Sequence, residues 1–463
     1  MRSLLPRTSW LAGLRVLTRA LRHRNYRLFF FGQGTSLIGT WMQRVALGWL
    51  VYRMTGSQWL LGLVGFSSQI LTFVVTPFAG VIADRTNRRY LIIVTQATAM
   101  LLAFLLAALT LTGSLAVWHI LVLSTCLGLV NSFDIPTRQS FVVEMLEARE
   151  DLPNAIALNS FMVNGARLIG PSVAGIMIAA IGGTSSAAEK GAPVHAFGEG
   201  VCFLVNGVSF IAVIASLLAM KVKHQERAPK GSHILQNLYE GLAYSLGFEP
   251  IRAILLQLAL ISLLTMPYGV LMPVFAKDIL GGGPKALGFL TAAAGVGAIM
   301  GAVTLAYRES ARGLGKVIAM AAMLLGTALI AFAFSRSIWL SAALLAIVGF
   351  GSMIQMASCN TLIQTIVDDD KRGRVMSLYT MAFMGVAPFG SLLAGALAGG
   401  LGAPWTVAIS GGSSIMAAAI FASRLRRLGR LAHPVYVRKG LVAGSEATGD
   451  GLPAEAPSEE MIL

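Results

Sequence analysis

From residue 26 to residue 423 the chain is a succession of twelve apolar runs, each about twenty residues or longer, separated by short polar turns. A helix of about 20 apolar residues crosses the hydrocarbon core of a bilayer. Within that core every backbone N–H and C=O must find a partner, and a helix supplies all of them from its own segment. The pattern therefore predicts an all-α integral membrane protein. Composition agrees, since 56% of residues are hydrophobic and only 12% are charged, about half the charged share of a soluble domain. These figures argue against a soluble large-core protein. They also assign the net charge of +15 to loop orientation rather than to nucleic acid, so no nucleic-acid partner is expected.

The runs cover about 26–52, 60–83, 89–111, 117–142, 152–181, 201–220, 251–276, 286–307, 314–334, 338–367, 374–400 and 403–423. This divides the chain into a basic N-terminal segment (1–25), a first six-helix half (26–220), a polar linker with an amphipathic helix (221–250), a second six-helix half (251–424) and a tail (425–463). The tail is rich in Gly, Ala, Pro and Glu and is expected to be largely disordered. The N-terminal segment lacks the apolar core and small-residue cleavage site of a signal peptide. It reads either as a basic helix on the inner leaflet or as a solvated tail.

The basic residues are sorted by side. Of the 36 Lys and Arg, 29 fall on the side of the N-terminus, five on the other and two, Arg44 and Arg167, inside spans. Positive charge marks the cytoplasmic side. Both termini, the linker and the charged turn from Gly80 to Arg89 are thus expected in the cytoplasm. Trp49, Trp59, Trp118, Trp339 and Trp405 fall near the opposite ends and read as an outer aromatic belt. Residues 128–175 can be laid on 349–395, a weak repeat of the kind found in transporters that rock two halves.

The turn between the second and third runs reads Gly80-Val-Ile-Ala-Asp84-Arg85-Thr-Asn87-Arg88-Arg89. It resembles the loop motif between helices 2 and 3 of the major facilitator superfamily. Asn87 stands where a second Gly is usual, and Asn tolerates positive φ better than most residues. Asn25-Tyr26-Arg27-Leu28-Phe29, Gly39-Thr40-Trp41-Met42-Gln43 and Asp134-Ile135-Pro136-Thr137-Arg138-Gln139 are similar to the enterobactin-exporter-like efflux branch. The resemblance covers about residues 25–427. It implies the major facilitator fold, twelve transmembrane helices in two six-helix halves. It also implies a secondary active exporter that exchanges a small molecule for protons in the cytoplasmic (inner) membrane of a bacterium. It makes the turn a gate, with Gly80, Asp84, Arg85, Arg88 and Arg89 as its residues. Asp84 would latch onto the Asp134/Arg138 pair and the start of the eleventh helix near Arg374.

In the fifth run, Gly165, Gly170, Pro171 and Gly175 resemble the Gly-Pro element of superfamily antiporters; ordinary small-residue packing is the other reading. A charge inside a span costs about 2.5–3.5 kcal/mol on insertion scales, which makes it a functional candidate. Arg167 is central. Arg44 lies in the outer half of its run, where snorkelling is an alternative. Asp134 and Arg138, four residues apart, share a helix face and can pair; Asp134 either carries the coupled proton or belongs to a structural cluster. Gln33, Asn159, Gln257, Tyr268, Gln355 and Asn360 are polar candidates for the substrate and proton pathway, or for hydrogen bonds between helices. Deep bases outnumber deep acids, which suits an anionic or polar-aromatic substrate.

Cys126, Cys202 and Cys359 sit in apolar runs and read as small buried hydrophobes, with no disulfide or metal pattern. No nucleophile, base and orienter set is present, and Gly313-Leu-Gly315-Lys316 lacks the spacing of a phosphate loop. The chain reads as no enzyme, without cofactor or metal. It is expected to work as a monomer in the bilayer on a siderophore, metabolite or drug. A transporter-like sensor or assembly partner without turnover is the alternative.

Overall fold

The computed structural model describes residues 18–181, 196–221, 234–308, 313–368 and 371–439; within these, the side chains of Pro77, Val81, Asp84, Arg85, Arg149 and residues 234–238 lie outside the description. The described chain is helical. The helices are α1 (Arg24–Thr55), α2 (Gln58–Arg85), α3 (Arg88–Leu111), α4 (Val117–Phe141), α5 (Leu152–Ile181) and α6 (Phe197–Ala219). They continue with the amphipathic α7 (Ile234–Gly247), then α8 (Glu249–Leu260), α9 (Gly283–Ala306), α10 (Leu314–Phe334) and α11 (Ile338–Ile366). The last are α12 (Arg372–Thr380), α13 (Ala387–Leu401) and α14 (Ala403–Arg438). Among the described residues, eleven helical spans are long and apolar enough to cross a membrane. The 32-residue α1 is not one of them, because Gln33, Gln43 and Arg44 lower its hydropathy. The expected first run is thus the polar helix of the set.

Two runs are broken internally, which periodicity did not predict. After α8 the chain passes through a π segment (Ile261–Thr265), a 3-10 segment (Met266–Leu271), one α turn (Met272–Val274) and a second π segment (Phe275–Ile279). Between α12 and α13 lies another π segment, Met381–Gly385. Proline explains the placing of two of these three π segments, Ile261–Thr265 and Met381–Gly385. Its ring cannot accommodate an α-helical carbonyl four residues back and it donates no hydrogen bond. Pro267 and Pro388 put that conflict at Leu263 and Met384, inside the two π segments. Pro388 also has no N–H for the Phe383 carbonyl; the Ser262 hydroxyl donates to it instead.

The chain groups into two compact units, residues 1–50 with 74–230 and residues 51–73 with 231–463. The stretch 51–73, assigned by sequence to the first half, groups with the second unit. There Gly62 packs backbone to backbone on Gly395, and Phe66 and Phe73 meet Phe389 edge-on. The first unit has a core of Tyr26, Phe29, Ile92, Phe141, Met162 and Phe210. In the second, a Cβ on Gly297 or Gly349 would lie under 2 Å from a carbonyl of the facing helix. Glycine at both positions lets α9 and α11 touch, the small-residue mode of membrane helix packing.

Some local expectations need correction. The last helix runs to Arg438, past the expected end near 423, because Leu428, Ala432 and Tyr436 recur at helical spacing and are buried. The tail expected from 425 is therefore helical as far as 438, and residues 440–463 lie outside the description, as do 1–17 of the N-terminal segment and 222–233 of the linker. Trp49 is a core residue, whereas Trp59, Trp118, Trp339 and Trp405 are exposed. Cys126 is exposed, while Cys202 and Cys359 are buried as expected.

Candidate functional site

In the first unit the two span arginines come together on one ring. The Arg44 guanidinium lies 4.5 Å from the centroid of Trp41, and that of Arg167 lies 5.5 Å from it. Both are within the roughly 6 Å reach of a cation–π contact. Arg44 and Trp41 are three residues apart on α1, so their contact is local. Arg167 arrives from α5, and Gly170 explains how. A Cβ at Gly170 would stand 2.6 Å from Trp41 Cβ, 2.7 Å from the Ile38 carbonyl and 3.0 Å from the Met42 nitrogen. Only glycine allows α5 to lie this close to α1 beside Trp41. Gly165 has open space around it, and Pro171 and Gly175 are buried in α5. At the protein surface Arg44 is exposed and Arg167 half-buried.

Asp134 forms the expected pair with Arg138, Oδ2 to guanidinium nitrogen at 3.0 Å. Sequence missed its other partners. Its Oδ1 accepts from the Thr95 hydroxyl at 3.0 Å and the Gln96 amide at 2.7 Å, both on α3. A nearly fully buried carboxylate is thus held by three donors from two helices. Thr95 and Gln96 were legible only as polar residues on an apolar helix.

The charged turn is anchored from its downstream half. Asn87 is extended, with φ of −66°, and its side chain accepts from the Tyr90 N–H. It therefore serves as the N-cap of α3 and not as a left-handed stand-in for glycine. Arg88 pairs with Glu144 at 2.9 Å, and Arg89 donates to the carbonyls of Leu217 and Leu218. Gly80 has open space around it. The side chains of Asp84 and Arg85 lie outside the described residues. Arg374, expected as a gate partner, is ion-paired with Glu240 of α7, and Gly241 packs on its Cβ.

Gln257 and Gln355 are 3% and 1% exposed, and neither polar atom of either side chain has a protein partner. Gln33 is equally buried, with its carbonyl oxygen unpartnered. Asn360 accepts from Gln364 at 2.6 Å, Tyr268 is buried in the 3-10 segment, and Asn159 is half-buried. Gln33 and Asn159 belong to the first unit, and Gln257, Tyr268, Gln355 and Asn360 to the second. A contact without a sequence signal joins the Tyr52 hydroxyl to Asp278, with Lys277 5.4 Å from the centroid of the Tyr52 ring.

Residues 18–433 match the family described as transmembrane secretion effectors. The chain belongs to this family of the major facilitator superfamily. This major facilitator protein is 24% identical to the staphyloferrin A transporter of Staphylococcus aureus (strain NCTC 8325 / PS 47), covering 85% of this chain and 95% of the relative. It is 27% identical to the multidrug efflux pump Tap of Mycolicibacterium fortuitum, over 88% and 98% of the two chains. It is 28% identical to the enterobactin exporter EntS of Shigella boydii serotype 4 (strain Sb227), over 89% and 92%. Its fold is that of a bacterial homologue of the iron transporter ferroportin, with a TM-score of 0.62 at 18% identity over 86% and 98% of the chains. It is a multi-pass membrane transporter and not an enzyme.

Proposed function

We propose that this transporter exports a small anionic molecule, of the siderophore or polar-aromatic kind, in exchange for protons. The observation that carries the reading is the pair of guanidiniums on Trp41. Two like charges within reach of one ring repel each other, and more strongly in a low-dielectric span than in water. An anion seated between Arg44 and Arg167 offsets that repulsion, and the indole offers a face for an aromatic group. Two of the relatives carry siderophores in their names, which supports the same class.

The cycle proposed is alternating access of two six-helix halves in a bacterial cytoplasmic membrane, with both termini in the cytoplasm and the protein acting as a monomer. The turn from Gly80 to Arg89 acts as the gate, with Asp84 as its latch and Asp134, Arg138 and Arg374 at its partner surfaces. Gln33, Asn159, Gln257, Tyr268, Gln355 and Asn360 serve the pathway, and Gly165, Gly170, Pro171 and Gly175 shape α5. The test is proton-dependent export of an anionic siderophore from energised vesicles. Arg44→Ala and Arg167→Ala are each expected to cut export at least about tenfold, the value of about 1.4 kcal/mol of lost transition-state binding. Unchanged export in both would refute the anionic reading.

A further inference from the structure

The C-terminal helix is longer than a bilayer crossing needs. Its 36 residues make a rod about 54 Å long at 1.5 Å per residue, against about 30 Å of hydrocarbon. Residues 424–439 contain six Lys and Arg and no acid. The inner face of this extension packs on the second unit through Leu428, Ala432 and Tyr436. Its far end is pinned, with Arg438 paired to Asp368 and Lys439 donating to the carbonyls of Thr365 and Val367. Arg427 pairs with Glu249 at 2.9 Å. Arg424 and Arg430 are exposed, and among the described residues no acid pairs with either.

Beside it lies α7, which shares Asp368 with the extension through the Tyr244 hydroxyl at 2.9 Å. Tyr239, Leu242 and Leu246 form a stripe on α7 at helical spacing and are all exposed. Arg424 follows the last apolar turn of α14 directly, and Arg430 lies about 9 Å further along the axis. That interval spans the headgroup layer of a leaflet, which is about 5–8 Å deep. Six residues apart, the two arginines stand about 120° apart round the helix and flank the side away from Leu428, Ala432 and Tyr436. Two such bases with an exposed Tyr and Leu stripe on the neighbouring helix have the chemistry of an inner-leaflet surface.

We propose that the outward face of this extension, with the α7 stripe, docks anionic phospholipid headgroups through Arg424 and Arg430. The proposal rests on the cytoplasmic placing of the C-terminus and is independent of the transported substrate. The test is native mass spectrometry of the purified full chain with phosphatidylglycerol or phosphatidylcholine. Arg424→Gln/Arg430→Gln should weaken phosphatidylglycerol retention about 30-fold, at about fivefold per basic residue. Phosphatidylcholine retention should not change, and Arg424→Lys/Arg430→Lys should keep binding near the wild-type level. Tyr239→Ser/Leu246→Ser should lower retention of both lipids. Wild-type phosphatidylglycerol retention in the Gln variant would overturn the proposal. So would equal loss in the Lys variant, or competition by inorganic phosphate as effective as that by the lipid. Lipid retention is read without transport, so loss of the export reading leaves this result standing.

Discussion

Gly170 is where packing and the arginine site can be tested by one methyl group. In Gly170→Ala the new Cβ would lie 2.6 Å from Trp41 Cβ and 2.7 Å from the Ile38 carbonyl. Carbon atoms in contact prefer about 3.5–4.0 Å, so α1 and α5 must separate by about 1 Å. The obstructing atoms are backbone and Cβ, which no rotamer change can move. Overpacking of this kind costs about 1–3 kcal/mol. The same displacement would carry the Trp41 centroid from 5.5 Å to about 6.5 Å from Arg167, beyond cation–π reach. Arg44 would keep its contact, because it shares a helix with Trp41. The matched control is Gly165→Ala on the same helix, where nothing stands within 4 Å and the gain in helix propensity is about 0.5–1 kcal/mol. Thermal unfolding in detergent and export from vesicles should both fall for Gly170→Ala and hold for Gly165→Ala. Wild-type behaviour of Gly170→Ala in both assays would refute the close-approach argument.

Asp134→Asn should lower stability by about 2 kcal/mol, since it leaves the Arg138 guanidinium without its carboxylate, whereas Thr95→Val removes one interhelical bond and should cost about 0.6 kcal/mol; equal losses in thermal unfolding would show that the carboxylate is not the hub. Gln257→Leu and Gln355→Leu should hold or raise stability, by up to about 1–3 kcal/mol, because their amides have no protein partner to lose; export assays on the same variants report any pathway role, and a marked drop in unfolding temperature would contradict the reading. At the start of α5, hydrogen bonding to His23 and the charges of Arg19 and Arg22 hold the Asp151 carboxyl below its usual range, against the opposing effect of burial. Because that carboxyl is depressed in the folded state, its contribution is complete above the ordinary Asp value of about 3.9 and is lost as pH falls through the lower folded value. Trypsin nicking after Arg19 or Arg22, normalised at each pH to cleavage of an unstructured peptide, should therefore stay constant from about pH 8 to pH 5 and rise in Asp151→Asn.

The membrane class, the helix order and the amphipathic α7 were legible because each rests on runs longer than any boundary error. The Asp134–Arg138 pair was legible because i,i+4 spacing fixes it within one helix. Arg44 and Arg167 stood out as charges in apolar runs, but their meeting on Trp41 did not. That meeting depends on the α1–α5 crossing, and the sequence marks the crossing only by Gly170, one small residue among several. Asn87 was misread because a cap and a left-handed turn favour the same residue type. Thr95, Gln96 and Glu240 were missed because a partner on another helix leaves no local spacing. The grouping of 51–73 with the second unit was invisible for the same reason.

The π segments have a consequence for reading one end of a helix from the other. Each holds an extra residue in a turn, and one residue corresponds to about 100° of rotation at 3.6 residues per turn. The segment at Ile261–Thr265 therefore resets the angular phase of everything that follows it in that column. A helical wheel drawn from Gln257 points Tyr268 and Asp278 in directions the chain does not take. The Ser262 bond to the Phe383 carbonyl ties this phase slip to a second one in the neighbouring column. Deleting one residue from Met381–Gly385 would restore an unbroken wheel in that column and leave its neighbour out of step.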